Sequence, residues 1–190
     1  MGIGGRGVRR AIFLDRDGVL NQQTVRNGVP HPPATLEDVV IPPGTEAALI
    51  RLKQQGFALI AITNQPDVSR GITTRAAVEQ VHRHLAKLLP LDDIFVCYHD
   101  DADNCECRKP KPGLILEAAR EYHISLPASV MVGDRWRDVD AGAAAGCTTI
   151  LIDYGHHERR PHSKPDASVA SLQQAVDWIL SQENSSVSSF

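Results

Sequence analysis

The run Phe57-Ala58-Leu59-Ile60-Ala61-Ile62 contains no polar residue and no alternation. A strand with one wet face alternates, so an unbroken apolar run marks a strand covered on both faces. That restricts the chain to a sheet with helices on either side. Similar short runs recur at Ala11–Leu14, Asp93–Cys97, 130–132 and Thr148–Ile152. Between them lie segments with helical spacing. Residues 44–55 carry Ala47, Ala48, Ile50 and Leu52, with Gly56 as a stop. Thr73 or Thr74 can cap a helix reaching about residue 89. Residues 112–123 open with Pro112 in the first turn. Trp136–Ala145 is alanine-rich and ends at Gly146. Residues 168–181 predict a last amphipathic helix. Strands alternating with helices predict right-handed crossovers and an α/β fold, a doubly wound parallel sheet with its ligand site outside the carboxyl ends of the strands.

A chain of 190 residues is enough for one domain with a real core. Residues 11–183 predict that single domain, between a flexible N-terminus (1–10) and a flexible, serine-rich tail (184–190). Residues 22–40 contain Pro30, Pro32 and Pro33 and little periodicity, so they predict a loop over the site and no separate cap domain. The net charge of -3 advertises no polyanion-binding surface, which argues against a nucleic-acid partner. No apolar run approaches a membrane span, and the four apolar residues after Arg9-Arg10 are too few for the h-region a secretory signal requires. The expectation is a cytoplasmic protein, monomeric for want of heptads. Gly2-Ile3-Gly4-Gly5-Arg6-Gly7 spells G-x-G-x-x-G but precedes the first strand, so it is discarded as a nucleotide site.

Asp15-Arg16-Asp17-Gly18 follows the first strand directly. A carboxylate on a stiff strand end can be both nucleophile and Mg²⁺ ligand, and an acid two residues on can reach a leaving group. The second strand runs into Thr63-Asn64-Gln65 and the fourth into Gly133-Asp134. Arg108-Lys109 lies between the third strand and its helix. The parallel topology brings all of them to one rim. Asp15 and Asp134 offer hard oxygen ligands for Mg²⁺. Thr63 and Asn64 offer donors for phosphate oxygens, and Lys109 a positive charge for the phosphate and its transition state. Asp138 is placed to orient Lys109 or a metal-bound water.

Cys97, His99, Cys105 and Cys107 supply three thiolates and one imidazole, the donor set of a tetrahedral zinc site. All four positions are filled by protein, which predicts a structural role. The loop runs straight into Arg108-Lys109, so a folded loop would fix where those cations point. Arg108 could then grip a second anionic group. Cys147, between Gly146 and a strand, reads as core.

Asp15-x-Asp17, Thr63, Lys109 and Gly133-Asp134-x-x-x-Asp138 together resemble the four motifs of the haloacid dehalogenase (HAD) phosphatase superfamily. The resemblance runs from about residue 11 to 152. It implies Asp15 as nucleophile, Asp17 as general acid and then base, and Mg²⁺ held by Asp15, the Asp17 carbonyl and Asp134. Cys97-x-His99, Cys105-x-Cys107-Arg108-Lys109-Pro110, Phe13-Leu14-Asp15-Arg16-Asp17-Gly18 and Thr63-Asn64-Gln65 resemble the subfamily of heptose bisphosphate and histidinol-phosphate phosphatases. That implies Zn²⁺ beside Mg²⁺ and a small phosphorylated sugar as substrate, with Asn64, Gln65, Arg108 and Arg135 as substrate-binding candidates. Histidinol phosphate or another small phosphate ester is the alternative, and a zinc-stabilised binding module without catalysis is the alternative of another class. Two positions depart from the pattern. Pro66-Asp67 replaces the usual Ser-Gly and adds a negative charge near an anionic substrate. Arg135 stands where a lysine is common.

Overall fold

The computed structural model describes residues 8–26, 29–33, 35–155 and 159–187. Strand β1 (Ala11–Leu14) is followed by the short strands β2 (Thr24–Arg26) and β3 (Val29–His31). Then come α1 (Thr45–Gln54), β4 (Ala58–Asn64), α2 (Arg75–Leu88) and β5 (Asp93–Cys97). Helix α3 (Gly113–Tyr122) leads to β6 (Val130–Gly133), α4 (Trp136–Ala145) and β7 (Thr148–Ile152). The chain closes with β8 (Ala167–Val169) and α5 (Leu172–Val187).

Six strands form one parallel sheet in the order β5-β4-β1-β6-β7-β8. The chain builds outward from β1 through β4 to β5, returns to the far side of β1 at β6, and builds outward again. The reversal leaves a crevice above the carboxyl end of β1, where such sheets bind ligands.

The pleat sends successive side chains to opposite faces. Ile12 and Leu14 enter one apolar cluster with Leu49, Leu52, Leu85 and Val176. Ala11 and Phe13 enter a second with Leu114, Ile115, Ala118 and Met131. Both faces of β1 and β4 are therefore dry, which is why residues 57–62 carry no polar position. Each large side chain buried this way contributes roughly 1.5–3 kcal/mol.

The structure departs from the sequence expectations at the edges. Residues 167–169, at the expected start of the last helix, form β8 on the sheet edge, and the helix begins at Leu172. It continues to Val187, into the expected tail, and Glu183 on it pairs with Arg10 at 2.5 Å. Arg9 and Arg10 are likewise tied in: the Arg9 carbonyl accepts from Ser125 N and the Arg10 carbonyl from Ala58 N. Residues 1–7 and 188–190, in the expected flexible ends, lie outside the described residues. The proline-rich segment holds the antiparallel pair β2–β3 and a single 3-10 turn at Leu36–Asp38.

Candidate active site and metal centre

The strand order delivers the expected residues to one crevice. Asp15 leaves β1 with its amide donating to Val132 O on β6 at 2.9 Å. Thr63 and Asn64 are the last residues of β4 on one side, and Asp134 follows β6 on the other. Lys109 reaches in from the connection after β5. Asp15, Thr63, Lys109, Asp134 and Asp138 are all buried.

Lys109 organises the cluster. Its Nζ lies 2.6 Å from Asp15 Oδ1, 2.6 Å from Asp138 Oδ1 and 2.7 Å from Ile62 O. An ammonium has three protons, so all are used and its position is fixed. Burial alone would lower its pKa, but Asp138 and Asp15 outweigh burial and hold it above the usual lysine range. Asp138 sits in the first turn of α4, where its Oδ2 also accepts from Arg135 N at 3.0 Å. Of the two roles foreseen for Asp138, the contact observed is the one with Lys109. Gly133 makes it possible: a Cβ there would lie 2.1 Å from Asp138 Cβ.

Asp15, Asp134 and Asp138 gather carboxylate oxygens within 4.8 Å of one another. With all three acids ionised, one lysine would face an excess of two negative charges, which a divalent cation would balance. Burial, with the charges of Asp138 and Asp17, raises Asp15 to about 7 even though Lys109 pulls it down. Burial and the charges of Asp15 and Asp138 push Asp134 well above the carboxylate range. Asp134 Oδ1 is buried and has no hydrogen-bond partner. Hard oxygens, negative charge and a buried oxygen without a partner fit a Mg²⁺ site.

Asp17 is held differently. Burial raises its pKa, but Arg16 and the hydrogen bonds from Asn21, Arg16 and Gln65 lower it below the ordinary value. Arg16 Nη2 reaches Oδ1 at 2.9 Å and Oδ2 at 2.8 Å, and Gln65 Nε2 reaches Oδ2 at 2.8 Å. Arg16 is only 2% exposed, and its Nη1 lies 3.1 Å from Nε2 of buried His82 on α2. Burial and the Arg16 charge lower the His82 pKa to about 4, so its ring is neutral and accepts from Arg16.

Two residues expected to touch substrate also hold other parts of the site in place. Gln65 also donates to Thr63 Oγ1 at 2.9 Å. Asn64 clasps the Lys109 backbone, Nδ2 donating to the carbonyl at 3.0 Å and Oδ1 accepting from N at 3.1 Å. Asn64, Arg108 and Arg135 line the cleft, which measures about 330 Å³, and Gln65 does not. Sequence reasoning missed Arg137, which also lines it: Arg137 and Arg108 share Asp101 Oδ1 at 2.9 and 2.8 Å. It missed Gln23 as well, whose Nε2 donates to Asp17 O at 2.7 Å and to Asp134 Oδ2 at 3.0 Å. Asp67 lines the cleft as expected, and Arg70 faces it at 3.4 Å while pairing with Asp100 at 2.6 Å.

The four zinc candidates converge. Cys107 Sγ is 3.2 Å from Cys97 Sγ, 3.4 Å from Cys105 Sγ and 3.2 Å from His99 Nδ1. Cys97 Sγ is 3.7 Å from Cys105 Sγ and 3.6 Å from His99 Nδ1. Ligands on a zinc tetrahedron with the usual bond lengths stand roughly 3.4–3.8 Å apart. The observed set fits with a contraction of a few tenths of an ångström. Cys147 is buried in the core, as expected.

A parallel sheet with acids after its central strands and a lysine paired between them is the architecture of the haloacid dehalogenase-like hydrolases, and the HAD-hydrolase-like family profile matches residues 106–175. The D-glycero-beta-D-manno-heptose-1,7-bisphosphate 7-phosphatase of Helicobacter pylori J99 is 36% identical over 176 residues, covering 90% of this chain and 97% of its own. The Escherichia coli K12 protein of that name is 36% identical over 183 residues, covering 90% of this chain and 87% of its own. The crystal structure of D,D-heptose 1,7-bisphosphate phosphatase from B. bronchiseptica, complexed with magnesium and phosphate, superimposes with a TM-score of 0.76. It is 31% identical and covers 92% of this chain and 99% of that one. The chain belongs to this heptose bisphosphate phosphatase family of HAD-like hydrolases. It is a phosphatase.

Proposed function

We propose that this enzyme removes the 7-phosphate from D-glycero-D-manno-heptose 1,7-bisphosphate through a phosphoryl group carried on Asp15. The carrying observation is the Lys109 bridge between Asp15 and Asp138 beside the partnerless Asp134 oxygen. Asp15, the Asp17 carbonyl and Asp134 would hold Mg²⁺. When bound, the ion supplies charge that screens the repulsion between carboxylate and phosphate. Lys109 favours the ionised form of Asp15 against the effect of burial and helps neutralise the phosphoryl oxygens. An Asp15 oxygen attacks phosphorus, the bond to the sugar oxygen breaks, and Asp17 gives that oxygen a proton. Water then attacks phosphorus, the bond to Asp15 breaks, and Asp17 takes the water's proton. Asp17 rests ionised on Arg16, the state the second step uses. For the first step it must part from Arg16, which raises its affinity for a proton. Asn64 holds the Lys109 backbone, and Gln65 holds Thr63 and Asp17.

Two features support a doubly anionic sugar. Relatives carrying that substrate in their names align over nine-tenths of the chain. Arg108, Arg135 and Arg137 line the cleft into which Asp15 and Lys109 open. Cys97, His99, Cys105 and Cys107 would hold a structural zinc, which would fix the connection carrying Arg108 and Lys109. Among the described residues no helix is long and apolar enough to cross a membrane. A reducing cytoplasm, where these thiolates stay available for metal, suits the reading. The test is kcat/KM with Mg²⁺ on both heptose 1,7-bisphosphate anomers and on histidinol phosphate. The heptose should win, and a clear preference for histidinol phosphate would overturn the substrate.

A further inference from the structure

We infer that Gln23 positions the magnesium ligands, settling which oxygen of Asp134 is left for the ion and tying the metal site to the loop over the cleft. Gln23 Nε2 donates to the Asp17 carbonyl at 2.7 Å and to Asp134 Oδ2 at 3.0 Å. Both partners are acceptors, so only the NH₂ end of the amide can face them, and its two protons are divided between them. The amide nitrogen has no lone pair to offer a cation, so Gln23 is not itself a ligand. Its effect is on the ligands. The terminal torsion of an aspartate is broad and soft. Engaging Oδ2 pins it and leaves Oδ1, the buried oxygen with no partner.

The surroundings are built to bring these groups together. Gly18 has φ +94°, and a Cβ there would lie 2.4 Å from Asp134 Oδ2 and 2.9 Å from Gln23 Nε2. Any side chain at position 18 would push the two apart. Gln23 is also held from behind. Gln22 N donates to Val40 O at 2.8 Å, and the side chain of fully buried Asn21 donates to Gln22 O at 3.0 Å. From Gln23 the chain runs on to His31 and Pro32, which line the cleft. One amide thus joins the Asp17 turn, the end of β6 and the base of the cleft loop.

Groups that hydrogen-bond metal ligands from outside are worth about 10–100-fold in metal affinity. The inference rests on the magnesium assignment above but not on the choice of substrate. The test is Mg²⁺ titration of substrate-free protein with its zinc retained, read as the rise of Tm with Mg²⁺ concentration. Gln23→Met keeps the chain length and removes both donors, and Gln23→Ala removes the side chain. Both should raise the Mg²⁺ dissociation constant by about tenfold or more. Variants with a lower Tm but unchanged or tighter Mg²⁺ binding would overturn the positioning role alone. A wild type whose Tm ignores Mg²⁺ would overturn the metal assignment and the inference with it.

Discussion

Lowering the pH from 7 to 5 should destabilise this protein through His82, and the size follows from its surroundings. Burial and the neighbouring Arg16 charge drop the ring's pKa from 6.5 to about 4, against weaker opposing pulls from Asp17 and Glu79. Its Nε2 accepts from Arg16, so protonation would set two cations against each other at 3.1 Å. In the unfolded chain the ring takes its proton near pH 6.5, whereas in the folded protein it refuses until about pH 4. The contribution is therefore complete above pH 6.5 and shrinks as pH falls toward 4. Linkage with these two values gives a loss of about 2 kcal/mol between pH 7 and pH 5. Other groups titrate in this window, so the clean measurement is a difference. His82→Gln keeps an uncharged acceptor for Arg16. Urea unfolding of wild type and variant at both pH values should show the wild type losing about 2 kcal/mol more than the variant. Equal losses would refute the reasoning, because they would mean that His82 is protonated in the fold or is not held by Arg16.

The remaining predictions concern the cluster and the zinc loop. Lys109→Met leaves Asp15 and Asp138 buried without their shared cation, and should abolish turnover and cost about 3–5 kcal/mol in denaturant unfolding. Gly133→Ala must displace Asp138, and with it Lys109. Turnover should fall about a hundredfold in steady-state assays, while a variant as active as wild type would show that the pair has slack. Cys107→Ser should lose zinc by elemental analysis and lose thermal stability with it, against about one zinc per wild-type chain. Full stability in zinc-free protein would rule out a structural ion.

The centre of the fold was legible because its signals are local and physically unambiguous. Residues 57–62 are apolar on both faces since β4 is covered on both, and acids placed after β1 and β6 meet because parallel neighbours end on the same rim. The edges were less so. Residues 167–169 are too few to show a strand period, and they form β8 only because β7 offers an edge. The serines and asparagine late in α5 are weak helix formers, but each costs only tenths of a kcal/mol, which contacts such as Arg10–Glu183 can offset. In the site, motif residues could be named from spacing, but their partners could not. Nothing in the sequence links Gln23 to Asp134, 111 positions away. The sequence marks Asn64 as a phosphate donor and Gln65 as a substrate contact, but spacing could not show that Asn64 also clasps the Lys109 backbone or that Gln65 donates to Asp17. Arg137 carries no motif, and only the loop that brings Asp101 beside it shows its place.

The decisive measurement is acid-quenched single turnover with Mg²⁺ and phosphorus-labelled substrate, followed by mapping of the labelled peptide. The label should appear transiently on Asp15 and vanish in Asp15→Asn together with hydrolysis. Label on any other residue, or hydrolysis that proceeds with no phosphoprotein formed, would contradict the account.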